Sequence, residues 1–183
     1  MSERAIQLSD TADGQLAELI GLLTARNEAA LSLPCLGRET MGDGTVAACT
    51  AHTADRYELI AEFVGAASQL SGAGARRGPH RVSGFLRARG HGPGGHAERD
   101  HEGSRHDGDY TAENVDLDSL LKRLSAARGA LNILSELTDE QLDTVPPAGS
   151  FRFCDGQRTL EQVIAGLLKH QSHQIDAVKA AAR

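Results

Sequence analysis

The stretch TLEQVIAGLLKHQSHQIDAVKAA, residues 159–181, decides the fold class. Leu160, Val163, Ile164, Leu167, Gln171, Gln174, Ile175 and Val178 recur at helical spacing and share one face. Thr159 followed three residues later by Gln162 is a capping box, so a helix begins there and runs to about Ala181. Two glutamines interrupt an otherwise apolar stripe. Burying an amide without a hydrogen bond costs roughly 1–3 kcal/mol, so both need partners. His170 lies at the edge of the stripe, beside His173 and Gln174, because residues three and four apart are neighbours on a helix surface. On the helical wheel Gln174 points nearer the stripe and His173 points further outward.

Working outward, three more segments carry the same period. The first is predicted as a helix from about Thr11 to Leu31, with Leu16, Leu19, Ile20, Leu23 and Ala30 as its stripe and Ser9 or Asp10 as its cap. Residues 32–44 hold Pro34, Gly37, Gly42 and Gly44 and read as a connection. The second helix runs from about Thr45 to Leu70. Val46, Cys49, Thr53, Tyr57, Ile60, Val64 and Ala67 form its stripe, and Leu59, Phe63 and Leu70 widen it on one side. His52 falls among these three, on the flank of the apolar face. The third helix, about Asp116 to Leu137, carries a stripe of Leu117, Leu120, Leu121, Leu124, Ala127, Leu131 and Leu134. Thr138 and Gln141 form a capping box for a short helical turn up to Thr144, and Phe151, Phe153 and Cys154 read as a short extended segment.

The composition agrees with an all-α protein. The chain has 183 residues, 40% of them hydrophobic, no tryptophan and only 3% aromatics. That suffices for one domain over residues 1–183 and is too little for two. A core of leucine and alanine favours helix-on-helix packing. The expected architecture is a four-helix bundle with a long insertion between helices two and three. That insertion, residues 71–109, contains ten glycines, two prolines, five histidines and many charges. It is too polar to form a core of its own and is expected to be flexible.

Charge and cysteine usage narrow the function classes. The formal net charge is −6, which argues against nucleic acid as the main partner, although Arg76, Arg77, Arg81, Arg87 and Arg89 cluster in the insertion. Those arginines, with Phe85 among them, could meet an acidic partner or simply be solvated. The polar first ten residues lack a signal core, and no apolar stretch approaches the ~18 residues of a membrane span. Cys35, Cys49 and Cys154 are odd in number and widely spaced, which disfavours a disulfide framework or a zinc finger. A reducing, cytoplasmic setting is expected.

The residues that could carry chemistry are histidines. His52, His170 and His173 lie on predicted helices, while His80, His91, His96, His101 and His106 lie in the insertion. His52 from one helix, with His170 and either His173 or Gln174 from another, would make a three-point clamp for a divalent metal that leaves positions open for water or substrate. The bland alternative is a set of boundary histidines. The insertion histidines, four of them five residues apart, read either as a solvated loop or as a metal-capturing, pH-sensitive flap. Asp55 is a candidate to orient an imidazole, Arg56 to meet an anionic substrate, and Tyr57, in the apolar stripe, to act as an acid or simply to sit in the core. Glu58 and Cys49 are lesser candidates near the same site.

GDGTVAACTAHTADRYELIAEFV (Gly42 to Val64) and TLEQVIAGLLKHQSHQIDAVKAA (Thr159 to Ala181) resemble the DinB-like, or YfiT-type, superfamily of metal-binding four-helix bundles. The resemblance covers about three-quarters of the chain and leaves out the insertion. It implies a metal-ligating His on the second helix, here His52, and an HxxxH pair on the fourth, here His170 and Gln174. The last expected imidazole is therefore an amide. Either His173 substitutes for it, or Gln174 binds through its oxygen, or the insertion supplies a ligand, or metal binding is lost. The resemblance further implies a divalent ion, zinc or nickel, and a low-molecular-weight thiol as cofactor of a transferase or isomerase acting on a small electrophilic substrate. The alternative is a non-catalytic protein that sequesters metal or a small molecule. No catalytic residue can be read directly, and a homodimer remains open.

Overall fold

The computed structural model describes residues 2–39, 41–72 and 110–181. The predicted insertion, with its histidines and arginines, lies outside the described residues except for its first two positions. Five helices follow in order: α1 (Glu3–Thr24), α2 (Val46–Gly72), α3 (Leu117–Leu131), α4 (Asp139–Leu142) and α5 (Leu160–Ala181). Single 3-10 segments occupy Glu28–Ser32 and Asn132–Glu136. The described residues contain no strand, only an isolated antiparallel bridge between Pro34 and Thr45. The described residues are all-α. No helix among the described residues is long and apolar enough to cross a membrane.

The first helix differs from its prediction at both ends. It starts at Glu3, and Ser2 rather than Ser9 or Asp10 caps it. The Ser2 hydroxyl accepts the Ala5 N–H at 3.2 Å and donates to Asp139 at 2.5 Å, tying the helix start to α4. Its buried stripe is Ala5, Leu8, Ala12, Leu16, Leu19 and Leu23. The early part of that stripe is mostly alanine, which hydrophobic periodicity registers weakly. Leu31, predicted as the helix end, belongs instead to the 3-10 segment.

The third helix is also shorter than predicted. Asp116 caps it by accepting from the N–H groups of Asp118 and Ser119, and the chain tightens to 3-10 after Leu131. Both capping boxes form as predicted. Thr138 pairs reciprocally with Gln141, and Thr159 with Gln162. The segment expected to be extended, Phe151 to Cys154, is a turn. The Cys154 N–H bonds the Phe151 carbonyl at 2.9 Å, and Phe151 and Phe153 set their rings edge-on to Phe63 with centroids 5.0 Å away.

The core is the contact of four long helices: α1 packs on α3 and α5, and α2 packs on the same two. Helices α2 and α5 run in opposite directions. Near its start α2 meets Gln174, late in α5, through Cys49. Near its end α2 meets Phe151 and Phe153, which precede α5. The first half of α2 departs from a one-faced pattern, since every residue from Val46 to Ala54 is buried. Alanines at 47, 48, 51 and 54 make this possible, because small side chains let neighbouring elements close on all sides of the helix.

One of those elements is the connection before α2. The Cys35 N–H bonds the Gly44 carbonyl at 2.8 Å, and the Val46 N–H bonds the Leu33 carbonyl at 2.9 Å. Gly42 has φ +54°, and a Cβ there would overlap the carbonyl oxygen of Tyr110. Asp43 fastens the same contact. Its N–H bonds the Tyr110 carbonyl at 3.1 Å, and its carboxylate accepts the Ala112 N–H at 2.8 Å.

Candidate functional site

The seam between α2 and α5 gathers most of the buried polar side chains of the described core. His52, Thr50, Thr53, Gln171 and Gln174 are all at least nine-tenths buried. Helical phase sorts them. With successive residues about 100° apart, Cys49 faces α5, and Tyr57 lies on the side of α2 that turns to α1. There the Tyr57 hydroxyl donates to Gln15 at 2.8 Å, and the Gln15 amide donates to the Leu168 carbonyl at 3.0 Å. His52 falls on the opposite side of Cys49. On α5, Gln174 meets Cys49, buried Gln171 turns inward, and exposed His170 turns outward. Helical phase therefore puts both imidazoles on the same side of the seam, His52 buried and His170 exposed. The antiparallel run brings His52, three residues beyond Cys49, toward the turn of α5 that holds His170.

Each imidazole presents Nε2 to an N–H donor. The Arg56 guanidinium donates through Nε to His52 Nε2 at 3.2 Å. Gln174 Nε2 stands 3.3 Å from His170 Nε2, and the amide donates when the ring proton is on Nδ1. The other end of the Gln174 amide takes the Cys49 thiol, with 3.6 Å between Sγ and Oε1. Of the nominated ligands, the structure thus brings His170 and Gln174 into contact. It puts His52 on the facing helix and leaves His173 exposed, its backbone carbonyl taken by Arg38 at 3.2 Å.

The remaining candidates are engaged elsewhere. Asp55 accepts from the Tyr110 hydroxyl at 2.8 Å and pairs with Arg123, which also binds Glu58 at 2.8 Å. Tyr57 is fully buried, and burial pushes its phenol above its ordinary value. Sequence reasoning missed Cys35 and Arg38. The neighbouring Cys35 thiol pushes Cys49 up, reinforced by burial, and Cys49 in turn draws Cys35 down, helped by the Arg38 guanidinium. No sequence signal pairs a loop cysteine with a helical one fourteen positions on.

Gln171 is a further surprise. It is fully buried, and neither its amide nitrogen nor its oxygen has a hydrogen-bond partner among the described residues; the Thr50 hydroxyl is in the same position. Native interiors leave few such groups, because each costs about 1–3 kcal/mol.

Among the described residues, no three His, Cys, Asp or Glu side chains are grouped to hold a metal ion. The candidate set is instead two imidazoles and an amide. Its chemistry fits a borderline divalent cation. With the ring proton on Nδ1, each imidazole offers its Nε2 lone pair, and that lone pair now faces an N–H donor, for His52 a cationic one. Compared with family models, curated proteins and solved structures, the chain matched none.

Proposed function

We propose that this chain is a metal-dependent protein of the DinB-like type. In this reading it is one four-helix-bundle domain with an insertion between the second and third long helices. His52, His170 and Gln174 would hold a zinc or nickel ion, with Gln174 binding through its amide oxygen. The activity would be transfer of a low-molecular-weight thiol to a small electrophile, or isomerisation through that thiol. A bound divalent ion would supply a lowered pKa for a coordinated thiol, and so a nucleophile at neutral pH.

What supports this reading is a pair of imidazoles on two facing helices, 118 positions apart, each with Nε2 turned to a donor. The chain's own groups have definable tasks there. The Gln174 amide, whose nitrogen holds His170 Nε2 in the metal-free chain, would release it and turn its oxygen to the ion. Arg56, when released from His52, offers a cation to an anionic substrate group. The alanine-lined first half of α2 keeps water from the buried side of the site. Asp55, bound to Tyr110 and Arg123, holds the outer flank of α2 without touching the chemistry.

The test combines metal analysis with turnover. Purified protein is expected to carry stoichiometric metal and to consume a model electrophile with a bacterial thiol. His52→Ala and His170→Ala should lose both metal and turnover, while His173→Ala keeps them, with far-UV circular dichroism confirming the helices in each. Metal that follows His52 and His170 without any turnover would favour sequestration. Metal content indifferent to both histidines would overturn the site.

A further inference from the structure

We propose that Arg38 binds the carboxylate of a small thiol acid beside His170. The carboxylate site stands on the geometry of Arg38, and the thiol rests on the function proposed above. Arg38 belongs to the connection before α2. Its N–H closes a turn on the Cys35 carbonyl at 3.0 Å, and its side chain crosses to α5. There a terminal guanidinium nitrogen donates to the His173 carbonyl at 3.2 Å. Residues 170 and 173 are neighbours on the helix surface, separated by about 4.5 Å of rise. The residue after His173 is Gln174, whose amide touches the His170 ring. The cation therefore stands on the flank of α5 that carries His170, at a distance that suits a short thiol acid.

Arg38 differs from the other arginines by the acceptors it has. Arg4, Arg123, Arg128 and Arg158 each hold a carboxylate within 2.8 Å. Among the described residues, Arg38 bonds only two carbonyl oxygens, those of Gly37 and His173, each at 3.2 Å, and its buried Nε has no partner. The acids of its own connection are engaged elsewhere. Glu39 accepts the Gly37 N–H at 2.8 Å, and Asp43 accepts from the N–H groups of Thr45 and Ala112. A guanidinium carries five N–H donors. The two carbonyls occupy one on each terminal nitrogen and leave one on each, the two-pronged donor set that a carboxylate fits. Arg38 is half-buried and both of its carbonyl bonds lie at the surface, so an anion reaches it without crossing the core. The His173 carbonyl belongs to the ladder of α5 and keeps its helical bond if the guanidinium turns to a ligand.

The experiment uses the isotopically labelled full chain as purified, followed by NMR. A buried arginine Nε–H exchanges slowly and gives its own signal, identified here by its loss in Arg38→Lys. N-acetylcysteine, its amide and N-acetylalanine are titrated in turn. N-acetylcysteine is expected to shift the Arg38 Nε–H and the backbone signals of His173 and Gln174, and to saturate at about ten-fold lower concentration than its uncharged amide. Arg38→Met should erase that preference and Arg38→Lys should keep part of it, with circular dichroism confirming the helices. If Arg38→Met does not fold, the wild-type titrations and Arg38→Lys decide. Acid and amide binding equally, an unmoved Nε–H signal, or a preference that survives Arg38→Met would overturn the proposal. N-acetylalanine binding as tightly as N-acetylcysteine, still dependent on Arg38, would uphold the carboxylate site and overturn the metal–thiol reading instead.

Discussion

The α1–α3 contact and the α2–α5 seam are both buried helix pairs, yet they are built from different materials. The first joins two helices whose buried stripes are rich in leucine, Leu16, Leu19 and Leu23 on α1 and Leu120, Leu124 and Leu131 on α3. Arg128 and Asp13 pair there at 2.5 Å, each close to half exposed. The second buries a thiol, an imidazole, two threonines and two carboxamides. A stripe of leucine needs no partner but another apolar surface. A buried amide or imidazole must find a donor and an acceptor, and Gln171 finds neither among the described residues. The contrast teaches that the α1–α3 contact carries the fold, while the α2–α5 seam gives up stability to bury polar groups.

Two substitutions separate those roles, and one titration tests the loop that leads into the seam. The largest effect is expected in the leucine contact. Leu124→Ala should destabilise the protein by about 2–5 kcal/mol, the range for truncating a fully buried leucine, seen as a lower urea midpoint. A loss below ~1 kcal/mol would mean that this contact is not the core. The seam should respond with the opposite sign. Gln171→Met replaces an amide without partners by an apolar chain of similar length and should raise stability by roughly 1–3 kcal/mol. A loss instead would reveal a bound group satisfying that amide. The smallest effect belongs to the loop before α5. The Arg158 and Gln157 N–H groups, with the Arg158 guanidinium, hold the Asp155 carboxyl down at about 2. A depressed folded value means the contribution is present above the unfolded value near 3.9 and fades as pH falls toward 2. An NMR titration of the Asp155 carboxyl should put its midpoint there, and a midpoint near 3.9 would break the assignment.

Much of the helical skeleton was legible because leucine and capping residues leave strong local marks. The stripe of α5, save that Leu168 is buried where Leu167 was expected, the capping boxes at Thr138 and Thr159, and the start of α2 all follow from spacing alone. The start of α1 was lost because Ala5 and Ala12 bury well but signal faintly. The turn at Phe151–Cys154 was lost because two aromatic residues two positions apart mimic a strand, whereas here they converge on Phe63. At the site, periodicity could place His170 beside Gln174, since both lie on one helix. It could not give Asp55 to Tyr110 and Arg123, or Cys35 to Cys49. Those partners come from segments that only the folded chain brings together.

Gly42 has a practical consequence. Its backbone lies so close to the Tyr110 carbonyl that even a methyl group has no room, and its positive φ disfavours any side chain in addition. In a library carrying every amino acid at position 42, survivors selected for folding should retain glycine almost alone, although neither Gly37 nor Gly149, in similar left-handed turns, meets any atom that a methyl would strike. Deep sequencing of such a pool would register the junction between the α2 entry and Tyr110 as a single intolerant letter.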